Sequence, residues 1–183
     1  GDTRLPVGLD TQVLLADSST TTGLKWGSNT TPPATGYYGA FQDAITQTAA
    51  SNNVGYSMIF RTTDISNGIS IVTNGSSLTR ITFANTGVYN LQFSSQFQNT
   101  DNAQHDINIW LRKNGSDVAS SNSIFTLPAQ RNNISGAVVA ACNYMFTFNS
   151  GDYVQFMWTA DSTSVAITTP AAQSNPTVPV APS

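Results

Sequence analysis

Val88-Tyr89-Asn90-Leu91-Gln92-Phe93-Ser94-Ser95-Gln96-Phe97 is the stretch whose reading decides the fold. Tyr89, Leu91, Phe93 and Phe97 fall on one side of an extended chain, and Asn90, Gln92, Ser94 and Gln96 on the other. Apolar residues at every second position make a half-buried strand, because successive side chains of an extended backbone point to opposite faces. A helix would set Tyr89 and Leu91 on opposite sides of its axis.

The neighbouring segments follow the same rule. Strands are expected at Ile69–Thr73, Leu78–Ala84, Ile107–Arg112, Ser123–Leu127, Ala137–Phe148 and Tyr153–Thr159. Between them stand Asn67-Gly68, Asn74-Gly75, Asn114-Gly115 and Ser150-Gly151-Asp152. Asn-Gly marks a tight hairpin, because both central residues of its turn need positive φ. Many short strands with dense turns predict an all-β, two-sheet antiparallel sandwich of the jelly-roll kind. Two strands, Val138–Phe148 and Val154–Trp158, carry apolar residues on both faces. Each is expected to be covered on one side by a second sheet and on the other by a partner subunit.

Composition narrows the function. The chain has 183 residues, of which 9% are charged, with a net charge of −3. All ten acids are Asp; there is no Glu. Thr, Ser, Asn and Gln number 24, 21, 17 and 10. This surface offers many neutral donors and acceptors and little long-range field, which suits contact with polysaccharide or another protein. Nucleic acid is not an expected partner, because no basic footprint exists. Nor is a membrane, since no apolar run approaches the roughly 20 residues of a spanning helix. Starting at Gly1 rather than Met, the chain reads as a processed product or an excised fragment.

Three regions are expected. Residues 1–36 form an extended N-terminal arm and linker, whose Leu5, Val7, Val13, Leu14, Leu24 and Trp26 are too sparse for a core and serve as anchors on another surface. Residues 37–169 form the sandwich. Residues 170–183, with Pro170, Pro176, Pro179 and Pro182, are expected as coil or polyproline-like tail, since proline cannot donate to a ladder.

The chemistry-bearing residues are few. His105 is the only His and stands in the polar run Thr100-Asp101-Asn102-Ala103-Gln104-His105-Asp106, where a solvated loop residue is expected rather than a base or an ion ligand. Cys142, the single Cys, is expected as a small buried hydrophobe on its strand. No phosphate loop, nucleophile elbow or metal spacing is present. The chain is therefore read as a non-enzyme without cofactor or metal. A polysaccharide depolymerase, which needs paired carboxylates, is the least favoured reading. Tyr37, Tyr38, Trp26 and Trp158 are candidates for exposed stacking contacts, and no receptor-binding residue is assigned.

Two resemblances add to this. Gly87-Val88-Tyr89-Asn90-Leu91-Gln92-Phe93 resembles the G-x-Y-x-[FL]-x-F hallmark of the tumour necrosis factor/complement globular head superfamily. Trp110-Leu111-Arg112-Lys113-Asn114-Gly115 looks like its L-x-K-N-G hairpin, and Gly151-Asp152-Tyr153-Val154-Gln155-Phe156 is similar to its G-D-x-V-x-L strand. The resemblance implies a jelly roll that assembles as a homotrimer through one sheet. It places Tyr89, Leu91, Phe93, Phe97, Tyr144, Phe146 and Phe148 in the core or the trimer seam. The superfamily closes that sheet with a last strand; here either Val165–Thr169 supplies it or it follows Ser183.

In the arm, Leu5-Pro6-Val7-Gly8, Gln12-Val13-Leu14-Leu15-Ala16-Asp17-Ser18 and Thr22-Gly23-Leu24-Lys25-Trp26 resemble a segment common in structural proteins of tailed phages. That implies a non-enzymatic protein of the virion surface: the head of a fibre or knob that contacts the host surface, its polysaccharide included. The alternative is a capsid decoration protein that stabilises the shell. In either role the arm would bind other virion proteins.

Overall fold

The computed structural model describes residues 4–28 and 36–182. The chain divides into two compact units, Gly1–Gly36 and Tyr37–Ser183.

The first unit is more than an extended arm. Strands β1 (Gln12–Ala16) and β2 (Leu24–Ser28) pair antiparallel, from Gln12 opposite Ser28 to Ala16 opposite Leu24. Side chains lock the turn between them. The Asp17 carboxylate accepts from Ser19 N at 2.9 Å and Ser19 Oγ at 2.6 Å, and pairs with Lys25 at 2.9 Å. These contacts, the Ser19 hydrogen bond first, hold Asp17 well below the usual carboxylate range. Gly23, at φ 70°, closes the turn. Trp26 Nε1 donates to the Pro6 carbonyl, and the indole lies so close to Gly8 that a Cβ there would meet it at 2.5 Å. Local polar contacts thus reverse a chain that lacks apolar spacing for a core.

The second unit carries β3 (Tyr38–Gln42), β4 (Gln47–Thr48), β5 (Tyr56–Ser57), β6 (Thr62–Asn67), β7 (Ile69–Asn74), β8 (Ser77–Phe83), β9 (Gly87–Asn99), β10 (His105–Lys113), β11 (Ser116–Asp117), β12 (Ser123–Leu127), β13 (Gly136–Phe148), β14 (Tyr153–Ala160), β15 (Val165–Ile167), β16 (Gln173–Ser174) and β17 (Thr177–Val178). It is all-β, with several antiparallel sheets in an arrangement consistent with a β-sandwich. One sheet runs β13-β9-β15-β4; the other runs β11-β10-β14-β8-β7, with β12 also on β10 and β5 on β14. β3 pairs with β6, and β16 with β17.

The backbone of the first sheet is a thirteen-residue ladder of β9 and β13, from Gly87 opposite Phe148 to Asn99 opposite Gly136. The alternation of β9 is realised: Tyr89, Phe93 and Phe97 are buried, and Leu91 packs against the core. Rings tie the sheets together. Phe148 of β13 stacks on Phe83 of β8 at 3.9 Å, Phe93 on Phe156 at 4.9 Å, and Phe97 meets Trp158 edge-on at 5.7 Å. Trp158 is therefore core, 1% exposed, and cannot offer the stacking contact expected of it.

Asn114 (φ 49°) and Gly115 (φ 85°) both take the left-handed conformation that a tight hairpin demands. The three resembling motifs interlock through it. Asn114 Nδ2 donates to Asp152 Oδ1 at 2.7 Å, Tyr153 N donates to Asn114 Oδ1 at 2.9 Å, and Lys113 pairs with Asp152 at 2.9 Å. Lys113 also lies over Phe148, whose neighbour Phe83 packs on Tyr89. The Lys113 contact is the largest cause holding Asp152 down to about 2. These residues are framework.

Two further expectations are corrected. β14 is already buried on both sides within the chain: it pairs along its edges with β10, β8 and β5, and its outward Gln155 and Met157 are held among neighbouring side chains, Ser57 bonding both and Thr79 bonding Gln155. The tail is not wholly coil. β16 and β17 form a minute hairpin, closed by Ala181 N on Pro170 O at 3.1 Å, because prolines 170, 176 and 179 leave two short stretches between them free to pair.

Candidate assembly face

The inward side chains of β13 leave its alternate residues outside. Ala137, Val139, Ala141, Asn143, Met145 and Thr147 stand opposite Gln98, Gln96, Ser94, Gln92, Asn90 and Val88 of β9. Twelve side chains thus pave the outer side of one ladder, and none is charged. Met145 is 72% exposed, Val88 69% and Val139 63%. Large apolar groups wet to this degree mark contact surfaces when they adjoin one another in a neutral patch. Fully burying such a side chain is worth about 1.5–3 kcal/mol.

The relief of the face suits packing rather than small-molecule capture. Shallow grooves of about 410 Å³ and 250 Å³ run between the strands, the first over Gln92, Ser94, Ala141 and Asn143, the second over Gln96, Gln98, Ala137 and Val139. A third, of about 420 Å³, separates β9 from β3; its lining includes Phe41, Gln42, Asp64, Ser95, Val139 and Pro182.

Of the residues named from sequence, Tyr89, Phe93, Phe97 and Phe148 are buried, and Leu91, Tyr144 and Phe146 are half-buried on the same inward side. Tyr144 donates its hydroxyl to Ser121 O at 2.9 Å, and burial, with Cys142 beside it, pushes it up to about 12. Cys142 is half-exposed and packs against the core edge. The arm residues divide: Val7 is 96% exposed, Val13, Leu14 and Leu24 are exposed to lesser degrees, and Leu5 and Trp26 are half-buried. Tyr37 and Tyr38 are about half exposed.

His105 is not a solvated loop residue. Its Nε2 lies 2.8 Å from Asp101 Oδ2 and its Nδ1 2.8 Å from Asp161 Oδ1, with 14% of the side chain exposed. Both nitrogens face carboxylates, so the imidazolium is favoured and its pKa is raised, the Asp101 hydrogen bond being the largest cause. Neither nitrogen is left to act as a base, and Asp106 accepts from Thr126 instead. Among the described residues no cluster of three or more His, Cys, Asp or Glu could hold a metal.

Sequence reasoning expected a second apolar face on this strand but did not name its residues. The signal was present: Ala137, Val139, Ala141 and Met145 alternate out of phase with Tyr144, Phe146 and Phe148. It overlooked Asp43, 1% exposed, whose carboxylate pairs with Arg61 and accepts from Gln47 at 3.0 Å, fastening the β3–β4 loop to the chain before β6. In comparisons with known proteins, no family model matches the chain. No curated protein matches it either.

Proposed function

We propose that the chain is the non-enzymatic, homotrimeric surface head of a phage virion fibre or knob, in contact with the host surface. The sheet orders β13-β9-β15-β4 and β12-β10-β14-β8-β7 support a jelly roll of the tumour necrosis factor/complement type. So does the interlock of Lys113, Asn114 and Asp152, residues of two of the motifs on which the resemblance rests. One observation carries the assembly reading: the outer side of the β9–β13 ladder is neutral, five of its twelve side chains are apolar, and Val88, Val139 and Met145 among them are more than half exposed. Three copies that turn this side inward remove Val88, Val139 and Met145 from water together. The sparsely charged remainder of the surface, rich in Ser, Thr, Asn and Gln, is the part left to meet host polysaccharide.

Light scattering coupled to size-exclusion chromatography tests this on the intact chain. Three chain masses are expected at micromolar concentration; a monodisperse monomer overturns the reading. The N-terminal hairpin, with Val7 and Leu9 96% and 78% exposed, favours a second reading with the same fold. Its apolar residues would dock on coat subunits, making the protein a capsid decoration. Hundreds of copies on the shell support decoration, and a few on the tail support a fibre head.

A further inference from the structure

β9 has an open edge. Thr168 N donates to Gln96 O at 2.8 Å, and Thr100 N donates to Ser164 O at 3.0 Å. The even-numbered residues of β9 therefore turn their backbone groups toward β15, and the odd-numbered ones toward β13, since a strand's hydrogen-bonding groups alternate sides. β15 ends at Ile167, opposite Phe97. Beyond that point Val88, Asn90, Gln92 and Ser94 still present their N–H and C=O groups to the same side, where no described strand pairs with them. The gap runs for seven residues, about 20 Å. It opens onto the groove between β9 and β3, where Ser95 is 4% exposed and its Oγ has no hydrogen-bond partner.

Exposed strand edges are normally blunted by charge, proline or a bulge. Gly87–Asn99 has no charged residue, no proline and an unbroken register with β13. Such an edge calls for a strand.

We infer that the open edge of β9 is closed in the assembled protein by the segment Ala171–Asn175 of a second copy, added as a strand. This rests on the assembly reading above. Ala171–Asn175 carries no charge, and neither do the β9 residues it would pair with, Val88 to Ser94. Ala171–Asn175 is a proline-free run between Pro170 and Pro176, and Pro182 already lines the groove. All five of its residues are exposed, so releasing the β16–β17 hairpin gives up little burial. The chain's own tail fits poorly. Continuing the register of β15 puts Pro170 opposite Ser94 and Pro176 opposite Val88, both at positions where the ladder needs an N–H. A strand from another copy is free of that register.

Hydrogen exchange on the full chain tests the inference, with Gln173→Pro to break the donor strand and Gln92→Pro to break the acceptor. Residue 92 points its N–H away from β13, so the acceptor change spares the main ladder. In the assembled protein the amides of residues 88, 90, 92 and 94 are expected to exchange about tenfold slower, or more, than in Gln173→Pro, as the gain of a hydrogen bond implies. Both variants are expected to weaken assembly. Equal exchange in parent and Gln173→Pro, with the oligomer intact, overturns strand addition and leaves the trimer standing. A monomer with fast exchange overturns both readings. A monomer with these amides protected means the slot is filled by its own chain, which overturns the second copy as donor.

Discussion

β13 and β14 pose the same problem and receive different answers. Both carry apolar side chains on two faces. β14 lies in mid-sheet, between β10 on one edge and β8 and β5 on the other, its outward Gln155 bonds Ser57 and Thr79, and Val154 through Trp158 are all buried. β13 stands at the end of its sheet, and no described strand pairs over its outer row; Val139 and Met145 stay wet while Ala140 and Phe148 are buried. An apolar pattern states that a face must be covered. It does not state by what. The segment that completes the sheet beside β14 has only two residues in strand form, Tyr56–Ser57, and is tied to β14 by side chains such as Ser57 and Gln155.

The contrast can be broken at its inner side first. Phe148→Ala removes a fully buried ring stacked on Phe83, and should cost about 3–5 kcal/mol in chemical denaturation whatever the oligomeric state. A smaller loss belongs to the half-buried positions of the same strand. Phe146→Asp and Tyr144→Asp each place a carboxylate against the core edge, and about 2 kcal/mol is expected. Parent-like stability of both variants would mean that β13 is turned the other way.

The outer side should behave in the opposite manner. Met145→Lys is expected to leave the stability of the isolated chain within about 0.5 kcal/mol, since the residue is 72% exposed there. It should nevertheless abolish assembly, read as a fall in mass by light scattering. A variant that assembles like the parent would shift the contact surface away from the β9–β13 ladder.

How much of this was legible beforehand follows the same division. Period-two alternation located β9, β10, β13 and β14, and the Asn114-Gly115 pair located its hairpin, because both are local properties of the backbone. The burial of Trp158 was not legible, since Phe97 meets it from 61 residues away in sequence. Nor was the N-terminal hairpin: its stability resides in Asp17, Ser19 and Lys25 around one turn, and in Gly8 beneath Trp26, rather than in apolar spacing. The candidate face was half legible. Its residues could be read from the phase of β13, but the open length of β9 depends on where β15 stops, and Val165–Thr169 gives no local mark of that.

The smallest effect concerns the end of the sandwich where β10 begins. His105 joins the Asp101 loop to Asp161 after β14, while Asp161 N also donates to Asp106 O at 3.2 Å. Its folded pKa lies above the ordinary value, so its contribution to stability is complete below about pH 6.5 and is lost as pH rises through the folded value. Asp101, held low first by the same His105 hydrogen bond, acts at the other extreme; its contribution is lost only as pH falls below the ordinary carboxylate range. The urea midpoint of the parent should therefore decline from near neutrality toward alkaline pH, and that of His105→Gln should not share the decline. Parallel curves would mean that the pair of carboxylates does not hold the imidazolium. Because this pin lies outside the residues of the β9–β13 ladder, the same titration followed by light scattering should leave the mass of the assembly unchanged, separating the stability of the fold from the contact between copies.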